Sequence, residues 1–582
     1  MHRFEIWAPS VKRLRIVVDG ATYDMDPQAN GYWSAEIQAA EHGNDYGFLL
    51  NDDPQTYPDP RSQQQPNGVH KLSRIVDHSR FEWKTEATWS AVPLANAVFY
   101  ELHIGTFTPS GTCDGAIERL PYLKELGVTH VELMPFASYE GCRGWGYDGV
   151  AIFAPQENYG GPDGLKRFAD ACHAHGLAVT MDVVYNHFGP TGYYANKFAP
   201  YLREDGHHTE WGAVVNLHGE GSVQVRRFFC DNALMWLRDY RIDALRLDAI
   251  HALHDSTDPY FLAQLSAEVE TLSLEAGRPL KLIAESSLND AIIVTPREHG
   301  GRGIDAQWSD DFHHALHTVL TGERQGYYHG FGSIAQLAKS LHAIYVRTHN
   351  DFLEDDDPSA RRPVGHLSAE HFLGYIQDHD QVGNRAFGER IHQIAGMAAA
   401  RVAAALVITG PSVPLLFQGE EFAASTPFLF FTDHANEELR RAVFEGRKKE
   451  FREFAKLENI PDPADPMTFE RSKIKWTEIE DERSEHASML RWYKSLLKLR
   501  RERTSLTEGD LKKTHVTFDE KERWLSMERG EILVVCNLSE YEREHVVNAA
   551  SWIELASEFN VELVDGTLTL PPMSVAILET EA

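Results

Sequence analysis

From residue 98 onward, short apolar runs alternate with amphipathic segments, and no other feature of the chain constrains its fold as tightly. Strand-like runs fall at "VFYELHI" (98–104), "HVELMP" (130–135), "AVTMDVVY" (178–185) and "DALRLDA" (243–249). Four more occur at "KLIAES" (281–286), "IDAQWS" (304–309), "HFLGYIQ" (371–377) and "VPLLFQ" (413–418). Between them lie segments such as "GLKRFADACHAHG" and "VRRFFCDNALMWLRDY", with apolar residues at i, i+3 and i+4, the spacing of a helix with one buried face. Eight strand-then-helix units in about 400 residues predict a (β/α)8 TIM barrel with long insertions. A doubly wound sheet is the structural alternative, but no glycine-rich phosphate turn comes after the first strand.

The flanks have a different texture. Residues 1–90 carry short runs such as "LRIVVDG" and "YWSAEI" between Gly, Asp and Asn turn signals, which predicts an N-terminal immunoglobulin-like β-sandwich. Residues 91–505 are assigned to the barrel, with insertions at 186–221, 318–370 and 433–487. Residues 506–582 return to β texture in "ILVVCNLS" and "GTLTLPPMSVAILE", which predicts a small C-terminal β-sandwich. Lys and Arg number 56 against 87 Asp and Glu, a formal net charge of -31 that argues against nucleic acid or an anionic membrane as partner. The five cysteines are scattered without a CxxC pair, and the N-terminus has no apolar signal core. A soluble cytoplasmic protein is expected.

In such a barrel the chemistry lies at the C-terminal ends of the strands and in the loops after them. Asp182 and His187 fall at the end of the third strand, Arg246 and Asp248 at the fourth, Glu285 at the fifth, and His379 and Asp380 after the seventh. Arg246 and Asp248, two apart on a strand, share one face. Buried strands carry two charges on one face only when these pair or do chemistry. Taken singly, each residue has a structural explanation: a helix cap, a surface pair, a satisfied core histidine. Their convergence on one rim favours an active site. Trp145 and Tyr147 in "GCRGWGYDGV" offer flat rings that could stack on a sugar, although loop packing explains Trp145 nearly as well. "DAQWSDDFHHALH" adds Trp308, Asp310, Asp311, His313 and His314. No HExxH, GxxxxGK[ST] or GxSxG motif competes, and no metal or cofactor is expected.

Four stretches, "DVVYNH", "LRLDAIH", "IAES" and "QDHDQ", resemble the signature segments of the α-amylase superfamily of retaining glycosidases, in the order and on the strands typical of it. The resemblance implies Asp248 as nucleophile, Glu285 as acid/base and Asp380 as the carboxylate that stabilises a distorted sugar ring. It implies that Arg246 orients Asp248, and that His187 and His379 hydrogen-bond sugar hydroxyls. Repulsion from Asp248 and Asp380 is expected to keep Glu285 protonated.

Within the superfamily the chain resembles the maltooligosyltrehalose trehalohydrolases along nearly its whole length. "YPDPRSQQQPNGVH", "DAQWSDDFHHALHTVLTGERQGYY", "DHDQVGNRAFGER" and "GEEFAASTPFLFFTDH" are the most specific stretches. The likeness implies hydrolysis of the α-1,4 bond next to a terminal trehalose, with malto-oligosaccharide carrying that end as substrate. It also implies work beside a maltooligosyltrehalose synthase through shared substrate. Asp311, His313, His314, His251 and Asp255 are then expected near the trehalose, with Asp182, Tyr147, Trp145 and Gln381 as further substrate contacts. Two departures stand out: Cys142 where a basic residue is expected, and Ile250–His251 where plain amylases often carry Lys-His. A branching enzyme is the nearest rival, but Gln381 stands where those enzymes typically carry Glu. A general α-amylase and a catalytically dead glucan-binding protein are the other two.

Overall fold

The computed structural model describes residues 1–86, 89–203, 208–209, 211–347, 367–451 and 459–580. At its centre eight parallel strands close into a barrel. They are β1 (Phe99–Leu102), β2 (His130–Leu133), β3 (Ala178–Val183), β4 (Ala244–Leu247), β5 (Lys281–Ala284), β6 (Ala306–Trp308), β7 (Phe372–Gly374) and β8 (Val413–Phe417). All eight runs predicted as strands are strands. The register aligns Glu101 with Glu132, Glu132 with Thr180, and Asp182 with Arg246. Partners in parallel register point to the same side, so these residues form layers across the interior.

The interior is divided along its axis. Ala97, Phe99, Ala244, Ile283, Ala306, Leu373, Val413 and Leu415 pack as one apolar cluster, with Trp308 and Tyr375 joining it. Glu101, Glu132, Asp182, Arg246 and His379 are also buried in the interior, towards the C-terminal ends of the strands. Glu132 shows what this layer costs. Burial first, then Glu101, raises its pKa well above the carboxylate range, and its Oε2 has no hydrogen-bond partner among the described residues.

The outer helices depart from strict alternation. Helices α1 (Leu120–Leu126), α2 (Gly161–Ala174), α3 (Ser222–Asp239) and α4 (Phe261–Ala276) come after the first four strands. Between β5 and β6 the described residues hold no α-helix, and a 3-10 turn at Arg297–His299 stands in its place. The expectation of eight complete units fails there because Pro296 starts the turn, and Gly300 and Gly303, both at positive φ, break the segment behind it. Helices α5 (Asp310–Thr321) and α6 (Ile334–Ala343) lie after β6, and α7 (Ile391–Thr409) after β7. After β8 come α8 (Glu437–Glu450) and α9 (Glu485–Glu502). By length and composition α7 could cross a membrane. Here it packs between the barrel, α9 and the C-terminal sheet, which accounts for its apolar surface.

Two sheets before the barrel and two after it form the flanking β layers. The first pair docks beside α3, where Arg61 meets Asp231 at 2.8 Å and Trp7 lies edge-on to Tyr201. The second pair is held to α7 by Arg529, whose Nη1 donates to the carbonyls of Thr409 and Gly410. Parts of the predicted insertions 186–221 and 318–370 fall outside the described residues, as do residues 452–458 of the third.

Candidate active site

Arg246 organises the C-terminal mouth of the barrel. It is fully buried, and its Nη1 donates to Asp182 Oδ2 at 2.6 Å and Asp248 Oδ1 at 2.8 Å. Its Nη2 lies 3.1 Å from Glu285 Oε2, and the guanidinium sits over the Trp308 ring at 4.5 Å. Burial works against the charge, but Asp182, Tyr147, Glu285 and Asp248 outweigh it and raise its pKa. One guanidinium therefore spans two carboxylates that face the cleft.

Each of those carboxylates is held from a second side. Asp248 Oδ2 accepts from Asn186 Nδ2 at 2.7 Å. Glu285 Oε2 accepts from the backbone N–H of Ala249 at 2.6 Å. Ala249 reaches it because φ is +41° there, a left-handed conformation that a non-glycine residue adopts only under constraint. Burial is the largest influence on Glu285, with Asp248, Asp380 and Asp310 adding to it and Arg246 opposing, and the result is a pKa of about 8. The expected rise is present, but burial leads and repulsion from the carboxylates comes second.

The opposite wall is a chain of hydrogen bonds. His379 Nδ1 donates to Glu101 Oε1 at 2.5 Å, and its backbone N–H donates to Glu101 Oε2 at 2.9 Å. Its Nε2 meets the Tyr147 hydroxyl at 2.7 Å, and Tyr147 donates to Asp182 Oδ2 at 2.6 Å. Burial alone would deprotonate His379, yet Glu101 and then Asp380 lift it to about 10. That lift favours the imidazolium, in which both ring nitrogens are donors. Asp380 is the most open of the carboxylates, its side chain 42% exposed, and accepts from Asn384 Nδ2 at 3.1 Å. His187 is buried against the Tyr147 carbonyl at 3.1 Å and stacks near Trp211, which is exposed on the rim.

The structure thus gathers Tyr147, Asp182, His187, Arg246, Asp248, Glu285, His379 and Asp380 into one site. His251 lies edge-on to Trp211, with ring centroids 6.2 Å apart. Gln381 lies beside Tyr328, whose hydroxyl is 3.4 Å from its Oε1. The remaining expected contacts have other surroundings. Trp145 is only 5% exposed: it stacks on Phe428, donates to the Leu429 carbonyl, and leaves no room for any side chain at Gly383. It is a packing residue. Asp311 is buried and accepts the backbone N–H groups of Val346 and Arg347, which fixes that loop. The carboxylate that joins the site is its neighbour Asp310, bonded to the Tyr375 hydroxyl at 2.5 Å and raised to about 6 by burial. His313 is buried between Tyr375 and Tyr328, and burial lowers His314 to about 4 as it stacks on Tyr327. Asp255 is consumed by Arg226 and the backbone of Phe261.

Comparison with known proteins places this geometry. A family model described as "Alpha amylase, catalytic domain" matches residues 55–211, and a domain of unknown function matches residues 509–577. The malto-oligosyltrehalose trehalohydrolase of Mycobacterium tuberculosis (strain CDC 1551 / Oshkosh) is 45% identical over 543 residues, covering 92% of this chain and 93% of that one. That of Rhizobium sp. (strain M-11) is 43% identical, covering 99% and 97%. The chain belongs to the malto-oligosyltrehalose trehalohydrolase family. Among solved structures, a putative alpha amylase from Salmonella typhimurium is 35% identical and superposes with a TM-score of 0.88 over 99% of this chain and 97% of its own. A 1,4-alpha-glucan branching enzyme from Shewanella sp. (strain W3-18-1) is 28% identical over 72% of this chain and 59% of its own. The trehalohydrolases match more closely and over more of their length.

Residues that sequence reasoning missed all act on the ones it found. Asn186 holds Asp248, Glu101 holds His379, and Asn384 holds Asp380. For Glu101 a signal was present: it is a lone charge in the apolar run "VFYELHI", as Arg246 is in its own strand.

Proposed function

We propose that this protein hydrolyses the α-1,4-glucosidic bond next to the terminal trehalose of maltooligosyl trehalose, releasing trehalose by a retaining double displacement. The observation that carries the mechanism is the Arg246 guanidinium bonded to Asp248 on one nitrogen and paired with Glu285 on the other. That span suits the separation of about 5–5.5 Å that retention requires.

In the first step Asp248 attacks the anomeric carbon, and the bond to the glycosidic oxygen breaks. Glu285 gives its proton to that oxygen, trehalose departs with its 4-hydroxyl restored, and the shortened glucan is left as an ester on Asp248. Water then attacks the same carbon while Glu285, now a carboxylate, takes its proton, and Asp248 is freed. Asp380 binds hydroxyls of the reacting sugar, and Tyr147 packs against the sugar ring. His379, its two N–H groups engaged by Glu101 and Tyr147, fixes the Tyr147 hydroxyl beside Asp182. Asp182 fixes Arg246 from behind. Trehalose lies on the Glu285 side, with Asp310, His251 and Gln381 as its contacts. The protein acts in the cytoplasm, on substrate supplied by a maltooligosyltrehalose synthase.

The test is to incubate the protein with maltotriosyl trehalose and, separately, with maltopentaose, and to separate the products by chromatography. Trehalose released from the first much faster than the second is hydrolysed is the expected result. Equal rates on both, or branched products, would overturn the reading.

A further inference from the structure

Asp380 has few tethers. Among the described residues its carboxylate accepts from Asn384 Nδ2 at 3.1 Å and lies 3.5 Å from His379 Nε2. Asn384 is in turn held from another part of the chain: Arg447 Nη1 donates to its Oδ1 at 3.0 Å. The same guanidinium donates through Nη2 to the Gly383 carbonyl at 3.0 Å and through Nη1 to Glu450 Oε2 at 3.0 Å. It lies over the Phe430 ring at 4.9 Å and the Phe451 ring at 4.6 Å. Arg447 belongs to α8, a helix that contributes no buried residue of its own, so this side chain is its anchor on the seventh-strand loop.

We propose that Arg447 is a positioning residue for Asp380, acting through the orientation of the Asn384 amide. This rests on the role given to Asp380 above. An amide has one acceptor end and one donor end, close to identical in shape. A cation on Oδ1 obliges Asn384 to turn its NH2 towards Asp380. Without the cation the amide can rotate by half a turn, and its oxygen would then face the carboxylate, oxygen against oxygen. Asp380 would swing away, and the distorted ring would lose support at the moment charge develops on it. Interactions realised only in the transition state affect kcat rather than KM.

The experiment measures kcat and KM for trehalose release by Arg447→Ala, Arg447→Lys, Asn384→Ala and the double variant Arg447→Ala/Asn384→Ala. Arg441→Ala on the same helix, where Arg441 makes an exposed contact with Glu437, is the control. Both alanine variants should lose about 10- to 100-fold in kcat, the scale of a displaced catalytic group. KM should stay within about twofold. The double variant should be no worse than either single one, because both remove the same link. Arg447→Lys should recover part of the loss, and Arg441→Ala should behave as the unaltered protein. An unchanged kcat in Arg447→Ala would overturn the proposal, and so would losses that multiply in the double variant. If the alanine variant does not fold, Arg447→Met, which keeps the aliphatic stem but not the cation, carries the test, and an unchanged kcat there overturns it. Asp380→Asn separates the two readings. If it is inactive while Arg447→Ala is normal, only the positioning role fails. If it is active, the assignment of Asp380 fails and this proposal with it.

Discussion

Replacing Glu101 by Gln changes one atom at the floor of the cleft and removes one charge. Glu101 and His379 are both nearly inaccessible to solvent, and the Glu101 carboxylate accepts from the ring Nδ1 and from the backbone N–H of His379. His379 is lifted from 6.5 to about 10. At about 1.36 kcal/mol per unit, that is a net preference for the imidazolium on the order of 5 kcal/mol. Burial opposes the lift, and Glu101 is its largest source, ahead of Asp380 and Asp378. The substituted amide keeps an oxygen for the Nδ1 proton but supplies no charge, so His379 moves down towards neutrality. A neutral ring that still donates from Nδ1 becomes an acceptor at Nε2. It then competes with Asp182 for the one proton of Tyr147, and a hydrogen bond to a charged group is worth about 1.5–3 kcal/mol. Because Glu101 raises the folded pKa, the charged form persists through neutral pH in the unaltered protein. In Glu101→Gln it is lost as pH rises through the new, lower value. The assay is kcat/KM for trehalose release between pH 5 and pH 9. The variant should approach normal activity at the acid end and fall about 10- to 100-fold behind at pH 8, in proportion to that hydrogen bond. Profiles that superimpose would refute the reasoning.

The pH dependence of the unaltered protein and the packing of its seventh-strand loop give two further tests. Glu285 must be protonated to act as the acid, and its value of about 8 sets an alkaline limb: kcat/KM should fall as pH rises through 8. Glu285→Gln should lose on the order of 10²- to 10⁴-fold and abolish that limb, as a pH-rate series will show. Gly383→Ala places a Cβ 2.1 Å from Trp145 Cζ2, so the ring or the loop must shift. Overpacking of this kind costs about 1–3 kcal/mol, measurable as a lower midpoint in urea unfolding.

The barrel can be read from the chain because buried parallel strands advertise themselves as apolar runs, and their order settles which ends share a rim. The carboxylates gathered at the barrel mouth were legible for the same reason: a charge at the end of such a run has few structural excuses. Single-residue resolution is harder. Asp310 and Asp311 are adjacent at the start of α5, and one helical step of about 100° decides that the first joins the carboxylates and the second caps a loop. Trp145 has the composition of a sugar platform, and only the position of Gly383 and Phe428 against its ring shows that it is packing. The missing helix after β5 was foreshadowed by Pro296 and the glycines behind it. Arg447 could not be found from sequence, since it meets Asn384 across 63 positions and sits in a helix whose pattern is that of a solvated surface.

The left-handed turn at Ala249 has a consequence for which edge of the acid can act. A carboxyl group has two oxygens, and in Glu285 the second already faces a main-chain N–H and a guanidinium. A proton placed there would point at donors, so Glu285 carries it on Oε1 and delivers it from that edge alone. The nearer of the two, at 2.6 Å, is the backbone N–H of Ala249, which no substitution short of proline removes. On the mechanism proposed above, the direction from which the bond is protonated is therefore written into the chain's path.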